Sequence, residues 1–211
     1  MKTCYIVGAG DFTARDFYPE KEDLLIAADG GFKAVQALGF TPGLLMGDFD
    51  SLGGVPQALP GKTRVLRYAV EKDDTDTGLA LAQGFAEGYR RFLLYGCGGG
   101  RLDHLLANQQ LMCQYEKAGA QVRLVDPDYD LYALHNEALT LPSRPPETLV
   151  SVFCHGDRAQ GVTLQGLQYP LENATLTCDR PLGVSNHYTR EEARVSVKEG
   201  TLLVMVFWNR R

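Results

Sequence analysis

The chain lacks several features that would direct its reading elsewhere. It has no long basic stretch: Arg90-Arg91 and Arg210-Arg211 are only pairs, in 211 residues of net charge −5. Binding along a phosphate backbone needs a basic footprint, so nucleic acid is not the expected main partner. No apolar run approaches the ~20 residues that span a bilayer, so no membrane partner is expected either. Cysteine is sparse. Cys4, Cys97, Cys113, Cys154 and Cys178 are odd in number and show no C-x-x-C spacing, which argues against a disulfide framework or a zinc site. They read as small buried hydrophobes, and the cytoplasm is the expected compartment. The opening Met1-Lys2-Thr3-Cys4-Tyr5-Ile6-Val7 reads as a first strand that breaks at Gly8, not as a leader. Two nucleotide signatures are missing as well. There is no G-x-x-x-x-G-K-[ST] loop, and Gly8-Ala9-Gly10-Asp11-Phe12 lacks the third glycine of the dinucleotide fingerprint. That segment reads equally as a tight turn or as backbone contact to a nucleotide.

What is present is an ordinary globular composition, 45% hydrophobic and 22% charged, enough for one large domain or two small ones. Up to about residue 126, short apolar runs alternate with helical patterns. Strands are expected at 3–7, 24–28, 44–46, 64–68, 92–95 and 122–125, with helices beginning near Phe32, Thr75 and Leu102. In the last helix, Leu102, Leu105, Leu106, Met112 and Cys113 lie close to one face, and Gly119 is the expected stop. This alternation predicts an α/β unit, a mostly parallel sheet with helices on both faces. Beyond residue 128 no long amphipathic helix remains. Short β-type segments at 129–134, 138–141, 148–154, 161–164, 174–177, 194–197 and 202–207 are separated by turn signals such as His155-Gly156-Asp157 and Lys198-Glu199-Gly200. They predict a smaller all-β sandwich. The expected domains are 1–128 and 129–211.

The chemistry-bearing residues sit where the apolar runs end. Ala28 leads into Asp29-Gly30-Gly31, Met46 into Gly47-Asp48-Phe49-Asp50-Ser51, and Tyr95 into Gly96-Cys97-Gly98-Gly99-Gly100-Arg101-Leu102-Asp103-His104. An open α/β sheet builds its ligand crevice outside the carboxyl ends of its strands. Asp48 and Asp50, one residue apart, can face one loop mouth, and carboxylates gathered there call for a hard cation such as Mg²⁺. Lys72-Asp73-Asp74-Thr75-Asp76 carries more acid than a helix cap needs. Asp76 can complete a metal site, and Lys72 can meet phosphate charge. The amides of Gly98, Gly99 and Gly100 at a helix start suit an anion, and Arg101 suits a bidentate phosphate clamp. Asp103 orients Arg101 or touches the ligand. For His104 a structural hydrogen bond is at least as good a reading as catalysis. In the β module, Gly183-Val184-Ser185-Asn186-His187-Tyr188 reads as a polar, aromatic segment between strands, either a plain loop or the edge of a small-ligand site. Phe207 and Trp208 read as core or interface.

These segments resemble, in order and spacing, the thiamine pyrophosphokinase family: Ala28-Asp29-Gly30-Gly31, Gly47-Asp48-Phe49-Asp50-Ser51, Asp74-Thr75-Asp76 and Arg101-Leu102-Asp103-His104. Gly161-Val162-Thr163-Leu164, Gly166-Leu167, Tyr169-Pro170-Leu171 and Gly183-Val184-Ser185-Asn186 resemble its thiamine-binding domain. One departure is Lys72, where some members carry glutamine. The resemblance implies an α/β catalytic domain followed by a β-sandwich, assembled as a homodimer, with thiamine held between the two domain types across the dimer interface. It implies transfer of diphosphate from ATP, the co-substrate, to the thiamine hydroxyl, with attack at the β-phosphorus. The roles expected from it are Mg²⁺ on Asp48, Asp50 and Asp76; phosphate on Arg101 and the glycine amides; and Asp29, Gly30, Lys72, Asp73 and Asp103 on the ATP side. Ser185 and Asn186 would hydrogen-bond the thiamine pyrimidine, and Tyr188 would stack on a ring. Competing readings are diphosphate transfer to another hydroxymethyl heterocycle, such as a pterin alcohol, and a non-catalytic sensor of thiamine or nucleotide.

Overall fold

A computed structural model describes residues 2–49, 54, 59, 61–69, 74–190 and 192–208. Asp50, Ser51, Lys72 and Asp73 lie outside the described residues. The chain divides into two compact units: Met1–Leu111 with Gly119–Pro127, and Met112–Ala118 with Asp128–Arg211.

The first unit holds strands β1 (Cys4–Val7), β2 (Leu24–Ala28), β3 (Leu44–Gly47), β4 (Arg64–Arg67), β5 (Arg91–Tyr95) and β6 (Gln121–Val125). They pair in the order β4-β3-β2-β1-β5-β6, every pair parallel. β1, β2 and β3 are buried along their whole length, which is why they read as unbroken apolar runs. β4, exposed at both ends and half-buried between, is the edge. Side chains alternate between two covered faces. Tyr5, Val7, Leu25, Ala27, Leu45, Leu93 and Tyr95 pack with Phe32 and Val35 of α1 (Gly31–Ala37). On the opposite face, α2 (Asp76–Ala86) sets Gly84 against Cys4 and Phe92. Each such buried aliphatic or aromatic side chain contributes about 1.5–3 kcal/mol. α3 is Leu102–Lys117. From β1 the chain winds one way to β2, β3 and β4, and then returns to place β5 on the other side of β1. The carboxyl ends of β1 and β5 therefore form a topological switch point, where such sheets open a crevice.

The apolar stripe expected on α3 is corrected in part. Leu102 and Leu106 are 68% and 52% exposed, whereas Asn108, Met112, Cys113 and Glu116 are buried. The buried line steps by three to five residues, as a helix requires, but it begins with a polar side chain.

In the second unit all pairs are antiparallel. Its strands are β7 (Tyr129–His135), β8 (Ala138–Thr140), β9 (Leu149–Gln165), β10 (Leu171–Thr177), β11 (Gly183–His187), β12 (Arg194–Ser196) and β13 (Glu199–Phe207). The spatial order is β7-β13-β9-β12-β8, with β10 and β11 also on β9. Two sequence expectations are overturned. His155-Gly156-Asp157 is not a turn: β9 runs through it for 17 residues, Gly156 supplying φ +96°. The first half of β9 pairs with β13 and β11, and its second half with β10 and β12, so one strand serves two sheets. The segment from Gly183 is not a loop but strand β11, paired with β9. Between the sheets lies a core of Val150, Val152, Val162, Leu164, Val195, Leu202, Val204, Val206 and Tyr188.

Candidate functional site

At the switch point of the first unit the chain encloses an open cleft of about 400 Å³. Its lining comes from the end of β1 (Gly8, Ala9, Gly10), the end of β2 (Ala28, Asp29), the start of α2 (Thr75, Asp76, Thr77), and the β5–α3 segment (Gly96, Cys97, Gly99, Gly100, Arg101, His104, Asn108). Tight backbone contact builds its floor. The Gly8 amide donates to the Tyr95 carbonyl at 2.7 Å and the Gly10 amide to the Gly96 carbonyl at 2.9 Å. Gly96 has φ +62°, and a Cβ there would lie 2.5 Å from the Gly8 oxygen, so only glycine fits. Gly8-Ala9-Gly10, ambiguous in the sequence, thus joins the cleft.

Two helix starts meet it. Thr75 caps α2, accepting from the Gly78 amide at 3.0 Å, while Asp74 Oδ1 accepts from the Thr75 amide at 2.7 Å. Asp76, in the first turn, lines the cleft. α3 begins beside Arg101 and His104. The first amides of a helix have no partner within the helix, and together with its dipole they favour an anion. The Arg101 guanidinium grips Asp103 bidentately, Nε to Oδ1 at 3.1 Å and Nη2 to Oδ2 at 2.5 Å. The hydrogen bond and charge of this partner raise the arginine and hold the aspartate below the usual carboxylate range. Both groups are exposed, so the pair is free to exchange for a phosphate.

Asp29 has φ +46°, and its amide donates to the Met46 carbonyl at 2.7 Å. Its Oδ1 is buried and, among the described residues, has no hydrogen-bond partner. A buried carboxylate oxygen without a donor is costly unless a cation or ligand meets it. Gly30 caps α1 beside it. Asp48 follows β3 but is not part of the cleft lining. Among the described residues no three His, Cys, Asp or Glu side chains gather closely enough to hold a metal ion. Of the three glycines expected at the phosphate, Gly99 and Gly100 line the cleft, whereas Gly98 is turned away and packs on Asp126, whose carboxylate would collide with any Cβ.

Thr77 and Asn108 line the cleft with no role in the sequence reading; Cys97, read as a small buried hydrophobe, is buried and lines the cleft as well. Burial pushes the Cys97 thiol up to about 11, partly offset by Thr77 and the Gly8 backbone, so it stays protonated at neutral pH. It donates to the Tyr95 carbonyl at 3.2 Å.

In the second unit the expected ligand edge is partly dismantled. Tyr188 is fully buried in the core, and its hydroxyl donates to the Pro142 carbonyl at 2.9 Å. No ring face is left for stacking, and the expected stacking role gives way to a structural one. The Asn186 amide is also buried and committed: it donates to the Tyr169 carbonyl at 2.8 Å and accepts from the Tyr169 and His187 amides, each at 3.0 Å. Ser185 is exposed at φ +58°. The aromatic ring presented here is Tyr169, 62% exposed and edge-on to His187.

Two family models match the chain in tandem: Thiamin pyrophosphokinase, catalytic domain, over residues 17–124, and Thiamin pyrophosphokinase, vitamin B1 binding domain, over residues 137–202. The chain belongs to the thiamin pyrophosphokinase family. The Thiamine pyrophosphokinase of Bacillus subtilis (strain 168) is 28% identical over 216 residues, covering 97% of this chain and 98% of that protein. The crystal structure of Thiamine pyrophosphokinase from Bacillus subtilis superposes with a TM-score of 0.87 at 26% identity, covering 99% of this chain and 100% of that one. Thiamin pyrophosphokinase from Geobacillus thermodenitrificans gives 0.83 at 28% identity, covering 98% of each. Membership accounts for the order of the motifs. The catalytic-domain match takes in β2 to β5 and α3, which carry most of the cleft. Among the described residues no helix is long and apolar enough to cross a membrane.

Proposed function

We propose that the chain transfers the terminal diphosphate of ATP to the hydroxyl of thiamine. The hydroxyl oxygen bonds to the β-phosphorus, and the bond from that phosphorus to the α,β-bridging oxygen breaks. AMP leaves with the electron pair, and the hydroxyl proton is released. The observation that carries this reading is the cleft itself, in a chain of this family: two helix starts, Arg101, Asp29 and Asp76 line one opening. Displacement at phosphorus depends on in-line positioning and charge neutralisation more than on covalent help.

The unpartnered Asp29 oxygen, in a cleft that Asp76 also lines, suits a hard cation. Mg²⁺ would be held by Asp48, Asp50 and Asp76, and when bound it neutralises charge on the diphosphate. Arg101, released from Asp103, and the Gly99 and Gly100 amides hold the phosphate oxygens. Asp29 and Gly30 shape the nucleotide side, and Lys72 and Asp73 add to it. In the second unit Ser185 offers a hydroxyl to the pyrimidine, Asn186 fixes the backbone of Tyr169, and Tyr169 offers the ring. The acidic cleft also attracts cationic thiamine. The active species is a homodimer in this reading, and the cytoplasm, with its ATP and Mg²⁺, suits the reaction.

Thiamine and a hydroxymethyl pterin, offered side by side with Mg·ATP, test the acceptor. AMP release is expected with thiamine alone. Release with the pterin and none with thiamine would overturn the assignment.

A further inference from the structure

Asn108 is the one polar side chain that α3 buries beside the cleft in its first two turns, at 4% exposure. Its Nδ2 donates to the Cys97 carbonyl at 2.8 Å. That carbonyl belongs to the peptide from which Gly98, Gly99 and Gly100 depart. The same stretch is fixed from other directions: the Gly8 and Gly10 amides hold the Tyr95 and Gly96 carbonyls, and Thr77 Oγ1 lies 3.8 Å from Cys97 Sγ. Asn108 is thus the side chain through which α3 holds the Cys97 carbonyl, at the root of the glycine segment. A leucine at this position would fill the buried line of α3 but offer the Cys97 carbonyl no donor.

We propose that Asn108 is a positioning residue for nucleotide binding: by clamping the Cys97 carbonyl it fixes the direction in which the Gly99 and Gly100 amides face the phosphates. This rests on the reading of the cleft as the ATP site. A loop amide displaced by about 1 Å loses most of its hydrogen bond to a phosphate oxygen.

Calorimetric titration of the full chain with Mg·ATP, without thiamine, tests this in the parent, in Asn108→Asp and in Asn108→Ser. Asn108→Asp keeps the shape and loses the donor; Asn108→Ser is small enough to fold if the first variant does not. Both are expected to bind Mg·ATP at least about tenfold more weakly, the loss of one buried hydrogen bond to the loop, while the thiamine KM stays within about twofold. A second readout separates positioning from packing. The carboxyl introduced by Asn108→Asp donates a hydrogen bond only when protonated, so its affinity relative to the parent recovers as pH falls, and that of Asn108→Ser does not. Variants that bind Mg·ATP as the parent does would overturn the proposal. So would equal losses for ATP and thiamine with no recovery at low pH. A parent that binds no Mg·ATP overturns the reading of the cleft itself, and this inference with it.

Discussion

At the scale of single residues, burial separates candidates that look alike in the sequence. Tyr188 and Tyr169 are both tyrosines near Ser185, yet one is sealed in the core and the other is exposed. Tyr188→Phe removes the hydroxyl bond to Pro142 and is expected to cost about 1 kcal/mol of stability with an unchanged thiamine KM. Tyr169→Ala is expected to raise that KM with little loss of stability. Steady-state kinetics beside urea unfolding checks both, and the opposite pattern would return the stacking role to Tyr188. Of the acids expected at strand ends, Asp29 lines the cleft, as strand-then-acid predicts for a parallel sheet, whereas Asp48 does not. Tyr188 was misread because a polar, glycine-led segment gives no sign of which of its residues point inward. Asn108 was missed for a related reason. The leucines around it suggest a stripe through Leu102 and Leu106, and only the fold shows that the buried line passes through the asparagine.

At the scale of elements, the cleft depends on how closely two strand ends approach. Gly8 and Gly10 donate to the carbonyls of Tyr95 and Gly96, and Gly96 sits at φ +62° with no room for a side chain. Gly96→Ala is expected to destabilise the chain by about 2–4 kcal/mol, combining a left-handed backbone penalty with overpacking, and to remove Mg·ATP binding. Thermal unfolding with and without nucleotide measures this; an unchanged midpoint that still rises with Mg·ATP would contradict the packing described. The parallel strands were recognisable because burial on two faces leaves an unbroken apolar run. β9 was not, because Gly156 and its polar neighbours carry the composition of a turn while lying inside a strand that passes from one sheet to the other.

At the scale of the whole molecule, two family models match in tandem, the catalytic domain over residues 17–124 and the vitamin B1 binding domain over residues 137–202. The proposed homodimer predicts sedimentation at twice the chain mass under assay conditions; a fully active monomer would contradict it. Diphosphate transfer is read from the product balance of ATP, thiamine and Mg²⁺ by chromatography. The expected result is AMP and thiamine diphosphate in equal amounts, none without thiamine, none in EDTA, and a fall of about 100-fold or more in Asp76→Asn, the scale on which loss of one charge-stabilising group acts. ADP with thiamine monophosphate, or AMP without thiamine diphosphate, would contradict the account.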